Sequence, residues 1–202
     1  MKKIVVSLML MGTLLFGMFN AFAATQTQHT VVAGDSMWKI AVKYQAGVSE
    51  IINANPQISN PDLIYPGQKL NIPVIAESTQ TFEQQVITLT NQKRAENGLS
   101  PLKVNWELSR VARYKSQDMH DKKYFSHTSP TYGDPFTMMK NFGISFNAAG
   151  ENLAMGQNTP EAVVNAWMNS SGHRANILNK NFAQIGVGYV ASGNYWTQMF
   201  IG

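Results

Sequence analysis

The chain has 202 residues, a formal charge of +4 and no cysteine. That length suits one or two domains. The missing cysteine excludes a thiol nucleophile, a thiolate zinc site, disulfide stapling and a lipid-modified N-terminal Cys, while the small charge and the absence of any basic run longer than Lys122-Lys123 argue against nucleic-acid binding.

Met1-Lys2-Lys3, the apolar run Ile4 to Phe19 and the exit Ala21-Phe22-Ala23 have the layout of a secretory signal peptide cut after Ala23. The run holds 16 residues, short of the roughly 20 a spanning helix needs. Nothing later is apolar and long enough to span a bilayer, so no transmembrane anchor is expected after cleavage. Without Lys2 and Lys3 the charge falls from +4 to +2. A secreted, extracellular or cell-wall location is expected, and cysteine-free export suits a bacterial protein.

Residues 29–73 form a first compact segment that reads strand, helix, helix, strand. Thr30-Val31-Val32 is β-prone and stops at Gly34-Asp35. Ser36 is a candidate N-cap for a helix carrying Met37, Ile40, Ala41 and Tyr44, which Gly47 ends. Ser49 is expected to cap a second helix with Ile51 and Ile52, stopping before Asn55-Pro56. Pro61, Pro66 and Gly67 mark turns, and Lys69-Leu70-Asn71-Ile72 alternates as a closing strand.

Three stretches of this segment resemble a LysM domain: Gly34-Asp35-Ser36-Met37-Trp38-Lys39-Ile40-Ala41, Ile52-Asn53-Ala54-Asn55-Pro56, and Asn60-Pro61-Asp62-Leu63-Ile64-Tyr65-Pro66-Gly67-Gln68-Lys69-Leu70. The resemblance implies binding of peptidoglycan or another N-acetylglucosamine-containing glycan in a shallow groove between two loops. It places the contacts on Gly34, Asp35, Ser36 and Met37 from one loop, and on Pro61, Asp62, Leu63 and Ile64 from the other. Backbone amides in turns and apolar side chains such as Leu63 and Ile64 suit an acetamido sugar, which carries no charge. Asp35 and Ser36 also suit helix capping, and Ile64 also suits the core.

Residues 74–80 are polar and aperiodic, which predicts a brief flexible linker. The second segment, 81–202, opens with a helix striped by Phe82, Val86 and Leu89, with Gly98 just past its end. Asn105 is expected to cap a helix through Leu108, Val111, Ala112 and Met119. Asp134-Pro135 and Thr159-Pro160 open two more, the latter carrying Val163, Val164 and Trp167. The period then changes to two. Ile185, Val187 and Tyr189 alternate with Gly186 and Gly188, Ser192-Gly193-Asn194 turns, and Tyr195 to Phe200 returns as a hairpin. Helices followed by strands without a βαβ rhythm predict an α+β domain. Gly186 and Gly188 point to close packing, and Trp106, Trp167, Tyr189 and Trp196 to the core.

His127, Glu151 and His173 stand out as candidate chemistry, each placed in a turn rich in glycine or serine. Two neutral imidazoles and one carboxylate suit a divalent metal such as zinc with an open position for water, and they suit proton transfer equally well. No G-x-S-x-G elbow, P-loop or G-x-G-x-x-G fingerprint is present.

Phe125-Ser126-His127-Thr128-Ser129-Pro130, Gly150-Glu151-Asn152-Leu153-Ala154, the run Ala166-Trp167 to Ile177-Leu178 and Ile185-Gly186-Val187-Gly188 resemble the CAP superfamily of sperm-coating, venom-allergen and pathogenesis-related proteins, in its cysteine-free bacterial branch. The resemblance implies an αβα sandwich with two histidines and two acids lining a cleft, which binds a divalent metal in some members. His127, His173 and Glu151 match three of those positions, with His127 and His173 as the metal candidates. The second acid is replaced by Ser170, three residues after Trp167. The resulting expectation is an α+β protein, a small βααβ LysM module followed by a CAP domain, that binds wall glycan. The cleft then serves as a binding or effector site, as a peptidoglycan hydrolase or metal-dependent protease, or as a relic in a structural envelope or spore-coat protein.

Overall fold

The computed structural model describes residues 24–202, and the leader expected at 1–23 lies outside them. Strand β1 (Ala24–Thr30) pairs antiparallel with β2 (Lys69–Ile75), Thr30 opposite Lys69. Helices α1 (Met37–Tyr44) and α2 (Val48–Asn53) pack on this ribbon. Val31, Ile40, Ala41, Ile51, Leu70 and Ile72 form their core, all nearly inaccessible to solvent. A ribbon of two strands is marginal on its own, and the helices supply the apolar surface it lacks. Asn55, fully buried, ties the parts together: its Nδ2 donates to the carbonyls of Ile51 and Asn71, and its Oδ1 accepts from Asn71 N–H.

Two local expectations differ here. The first strand lies earlier than Thr30–Val32, although Val31 is buried and its N–H still donates to the Gln68 carbonyl. Gln45, in the left-handed region at φ 51°, ends α1, which frees Gly47 to serve as N-cap of α2; Ser49 sits inside that helix and its hydroxyl donates to Glu50. Ser36 does cap α1, its Oγ accepting from Lys39 N–H.

No loose joint follows. β2 runs to Ile75 and α3 (Glu77–Glu96) starts two residues later, so the stretch expected as a flexible linker is strand end and first helical turn. The two segments also touch. Glu50 of α2 accepts from Arg110 Nη1 at 2.8 Å and from the Tyr114 hydroxyl at 2.7 Å, both on α4 (Trp106–Lys122). Burial pushes the Glu50 carboxyl up, but the Arg110 charge and the hydrogen bonds from Tyr114 and Arg110 together hold it below the usual range.

The second segment is a three-layer sandwich. Its sheet has the order β3-β5-β6-β4, with β3 (Lys103–Val104) parallel to β5 (Gln184–Val190), and β6 (Tyr195–Ile201) antiparallel to both β5 and β4 (Ala149–Met155). Helices α4 and α5 (Pro135–Asn141) cover one face, where Leu108, Val111, Met138, Met139 and Met199 pack. Helices α3, α6 (Pro160–Asn169) and α7 (Ser171–Ile177) cover the other over Val86, Val163, Trp167, Val187, Trp196 and Phe200. The period of two in β6 sorts Trp196, Gln198 and Phe200 to one face and Thr197, Met199 and Ile201 to the other. The helix starts at Asn105, Asp134 and Thr159 are capped by those side chains as their sequences predict.

In β5 the apolar residues Ile185, Val187 and Tyr189 face α3, and Gly186 and Gly188 face α4. A Cβ on Gly186 would collide with the backbone of Leu108 and Ser109, and one on Gly188 with the backbone of Ala112 and Arg113. The helix therefore rests on the strand backbone, held by Ser116 Oγ donating to the Gly188 carbonyl and Ser109 Oγ accepting from Val187 N–H. Gly188→Ala should destabilise the protein by about 2–3 kcal/mol, the usual cost of overpacking. Denaturant titration followed by circular dichroism checks this, and an unchanged midpoint would contradict the close approach.

Candidate functional site

The loop pair expected to bind glycan lies at one end of the β1–β2 ribbon, since one loop leaves β1 at Thr30 and the other enters β2 at Lys69. The first loop is braced from inside. Asp35 Oδ2 accepts from Val32 N–H at 2.9 Å and meets His29 Nε2 at 2.9 Å, while His29 Nδ1 reaches the Tyr44 hydroxyl. The Val32 N–H and then His29 hold the Asp35 carboxyl below its ordinary value. Asp35 thus shapes the loop, Ser36 Oγ caps α1, and Met37, at 6% exposure, belongs to the core. Gly34, at φ +88°, takes a conformation that favours glycine, and its carbonyl accepts from Lys39 Nζ. Across from it, Asp62 and Leu63 are exposed, Pro61 is half-buried, and Ile64 packs against the module core.

Sequence reasoning missed two aromatic residues there. Trp38 is 58% exposed and Tyr65 59%. The signal was readable for Trp38, which falls off the stripe Met37, Ile40, Ala41 and Tyr44 and so must leave the core.

The second site forms at the β4 edge of the sandwich. Glu151 stands in that edge strand rather than in a turn, opposite Met199, and so points toward the α4 face. His127 lies in the loop that follows α4, and its Nδ1 is 2.7 Å from Glu151 Oε1. His173 stands inside α7, which begins immediately after α6, and not in a turn past a helix end. Asn152 anchors it: the Asn152 Nδ2 donates to the His173 carbonyl at 3.1 Å and to Gln198 Oε1 at 3.0 Å. Asn176, one turn on, donates to the Glu151 carbonyl and to Asn152 Oδ1. A loop from one helical layer and a helix from the other are thereby drawn to the same edge strand.

Burial, opposed by His127 and Lys115, pushes the Glu151 carboxyl up. Its Oε2 is buried and finds no partner among the described residues. Burial, and then the nearby charge of His127, push the His173 imidazole down. His127 is the open member of the trio, with 55% of its side chain exposed.

Beneath it lies a polar network that the sequence reading did not identify. Lys115 is fully buried, and its Nζ donates to the His127 carbonyl at 2.7 Å. Asp118 accepts from the hydroxyls of Tyr124, Ser129 and Thr131. Burial lowers the Lys115 pKa, while Glu151 and Asp118 oppose that shift. Lys115 occupies the apolar stripe of Leu108, Val111, Ala112 and Met119, so a lysine at a core position was the available signal.

The donor set fits a zinc ion poorly. Among the described residues no group of three or more His, Asp or Glu side chains gathers to hold a metal. The Glu151 side chain is 1% exposed with Oε1 engaged by His127, and Ser170 stands where the resemblance places a second acid, so two imidazoles remain against the three protein ligands usual in a catalytic zinc site.

A βααβ module joined to an αβα sandwich with a His–Glu–His edge cleft defines a two-part protein with one carbohydrate-module fold and one secretory-protein fold. Residues 87–200 match the family model described as "CAP: Cysteine-rich secretory protein family", and residues 29–73 match the LysM domain model. The chain belongs to the CAP family and carries an N-terminal LysM domain, although it contains none of the cysteines of the family's description. It is 59% identical over 140 residues to YkwD of Bacillus subtilis (strain 168), covering 64% of this chain and 54% of that protein. Its first segment is 56% identical over 45 residues to SpoIVD-associated factor A of the same organism, covering 22% of this chain and 12% of that protein. Among solved structures, an extracellular SCP-domain protein from Bacillus anthracis str. Ames superposes with a TM-score of 0.59 at 35% identity, covering 67% of this chain and 47% of that one. The chain thus spans about half the length or less of these relatives. Among the described residues no helix is long and apolar enough to cross a membrane.

The buried carboxyl makes a stability prediction. A folded-state pKa above the unfolded value means that the folded chain keeps a proton the unfolded chain has released. Stability from this group is therefore present at low pH and is lost as pH rises through the raised folded value. Glu151→Gln should then be more stable than the parent at neutral pH, by on the order of 1 kcal/mol. The gap should close below the ordinary carboxyl range. Calorimetry across the acid range tests this, and a pH-independent difference would contradict it.

Proposed function

We propose that this chain is an exported envelope protein whose LysM module holds N-acetylglucosamine-containing wall glycan, chiefly peptidoglycan, and whose CAP domain presents the edge cleft to that polymer. The observation that carries this reading is the exposed apolar pair Trp38, in the first turn of α1, and Leu63, in the loop that leads to β2. An acetamido sugar offers a methyl group and flat apolar ring faces, which match such side chains, while the backbone groups of the Gly34 and Asp62 turns suit its amide and hydroxyls. The module carries no excess charge, as a neutral ligand requires. Tethering by the module raises the local concentration of the cleft at the wall. The seven-residue linkage expected to be flexible is absent, and Glu50 docks on Arg110 and Tyr114, so the two parts meet the wall as one body.

The Trp38→Ala, Leu63→Ala double variant should bind purified peptidoglycan about tenfold more weakly, as expected from losing one or two apolar contacts. Sedimentation with the insoluble polymer measures this. Unchanged retention would reject the loop pair as the binding site.

A second reading, hydrolysis in the cleft, is favoured by one contact, Glu151 Oε1 to His127 Nδ1 at 2.7 Å. An ionised carboxylate only accepts, so it keeps the hydrogen on Nδ1 and leaves Nε2 to accept a proton from water or a sugar hydroxyl. Lys115 holds the His127 backbone while Glu151 holds the ring, which fixes the imidazole at both ends. His173, kept toward its neutral form, stands near as a second acceptor or donor. Peptidoglycan clearing in a zymogram by the parent chain, abolished in His127→Ala, Glu151→Gln, is the outcome this reading requires. No clearing by a folded parent chain leaves the cleft as a binding site.

A further inference from the structure

At the other edge of the sheet, beside β3, the structure buries a cation that the cleft does not use. Arg94 of α3 is 2% exposed. Its Nε donates to the Ser100 carbonyl at 2.9 Å, and its Nη1 to the carbonyls of Ile177 at 2.8 Å and Asn179 at 2.9 Å. Every one of these acceptors is neutral. Among the described residues no carboxylate pairs with the guanidinium, and Nη2, which has no protein acceptor, is not cut off from solvent. Burial alone acts on its pKa, lowering it. Buried charges are ordinarily paired, because removing an ion from water is strongly unfavourable. The three carbonyls explain why Arg94 ties the 100 and 177–179 loops together, but they leave its charge without an anion.

Arg94 contributes to the wall of a depression of about 470 Å³ whose other charged lining residues are Lys103 and Lys180. Among the described residues no Asp or Glu lines it. Both lysines are exposed, and they come from separate parts of the chain, Lys103 from β3 and Lys180 from the turn before β5. Gln184, also in the lining, accepts from Asn105 through Oε1, so its amide nitrogen remains a donor.

We propose that this depression is an oxyanion site for a phosphate group, with Arg94 as its buried donor and Lys103 and Lys180 as its rim. A tetrahedral phosphate accepts from several directions, which suits a fixed guanidinium and two mobile ammonium groups on different elements better than a planar carboxylate does. Free phosphate and a phosphodiester of an anionic wall polymer share this chemistry. The site stands apart from the β4 edge, and the proposal does not depend on the reading of the cleft.

The test is nitrogen-edited NMR of residues 24–202 at constant ionic strength, titrated with inorganic phosphate, with a glycerol-phosphate oligomer, or with chloride as control. Saturable shifts of Arg94 Nε–H and of the Gly98, Leu99 and Ser100 amides are expected with phosphate. Lys103→Gln, Lys180→Gln should weaken that binding by about tenfold, as loss of two attracting charges implies, with the rest of the spectrum unchanged. These two lysines are exposed and bear no load in the core, so the variant keeps the test open even where Arg94→Gln fails to fold. Tighter binding of the oligomer assigns the site to polymer, and equal or weaker binding assigns it to the free ion. Shifts no larger than those from chloride, or equal affinity in the double variant, would overturn the proposal.

Discussion

The seating of α4 directly on the backbone of β5 is the constraint on which the rest of the second domain depends. Two glycines remove the side chains that would hold the helix away, and Ser116 and Ser109 bond to the strand across the gap. Arg113, on the same helix, grips Glu83 of α3 with both Nε and Nη2 just beyond, and Glu83 also accepts from Tyr189 N–H. That buried pair joins the two helical layers along the edge of β5 beyond its short pairing with β3. Burial pushes the Glu83 carboxyl up and Arg113 pulls it back, so the guanidinium is what makes an acid tolerable there.

The position of α4 then sets the cleft. With the helix pressed against the sheet, Lys115 reaches the His127 carbonyl from below, and Asp118 gathers Tyr124, Ser129 and Thr131 into one loop. Rigidity of an imidazole comes from such supports more than from the residue itself. On the far side, the side-chain amides of Asn152 and Asn176 stitch α7 to the edge strand. The same helix meets the front module, since Arg110 and Tyr114 bind Glu50. One helix therefore joins the core, the cleft and the glycan module, and a disturbance of its packing would reach all three.

Much of the fold was legible locally. Ser36, Asn105, Asp134 and Thr159 each cap the helix their position predicts, because capping needs only a short polar side chain and the amides that follow it. The alternation of Ile185, Val187 and Tyr189 with glycine announced both a strand and a close approach. Where reading failed, a distant partner decided the matter. Gly150-Glu151-Asn152 looks like a turn by composition, yet pairing with β6 makes it an edge strand. Residues 74–80 look like a linker, yet pairing with β1 carries β2 through Ile75 and α3 begins at Glu77. Asp35, expected in the glycan groove, also bonds His29 six residues earlier, a contact the motif alone did not announce.

The sequence by itself determined that the chain has two segments, that one follows a βααβ plan and the other an α+β plan, and that His127, Glu151 and His173 are the residues to watch. Those facts rest on periodicity, caps and short motifs, which act within a few residues. Only the tertiary structure decided that His127 and Glu151 bond at 2.7 Å, that Lys115 supports them, and that Arg94 lies buried without a counter-charge. These depend on which strand forms the sheet edge and which helix crosses it, and separations of 12 and 24 residues along the chain carry no local signal of that outcome.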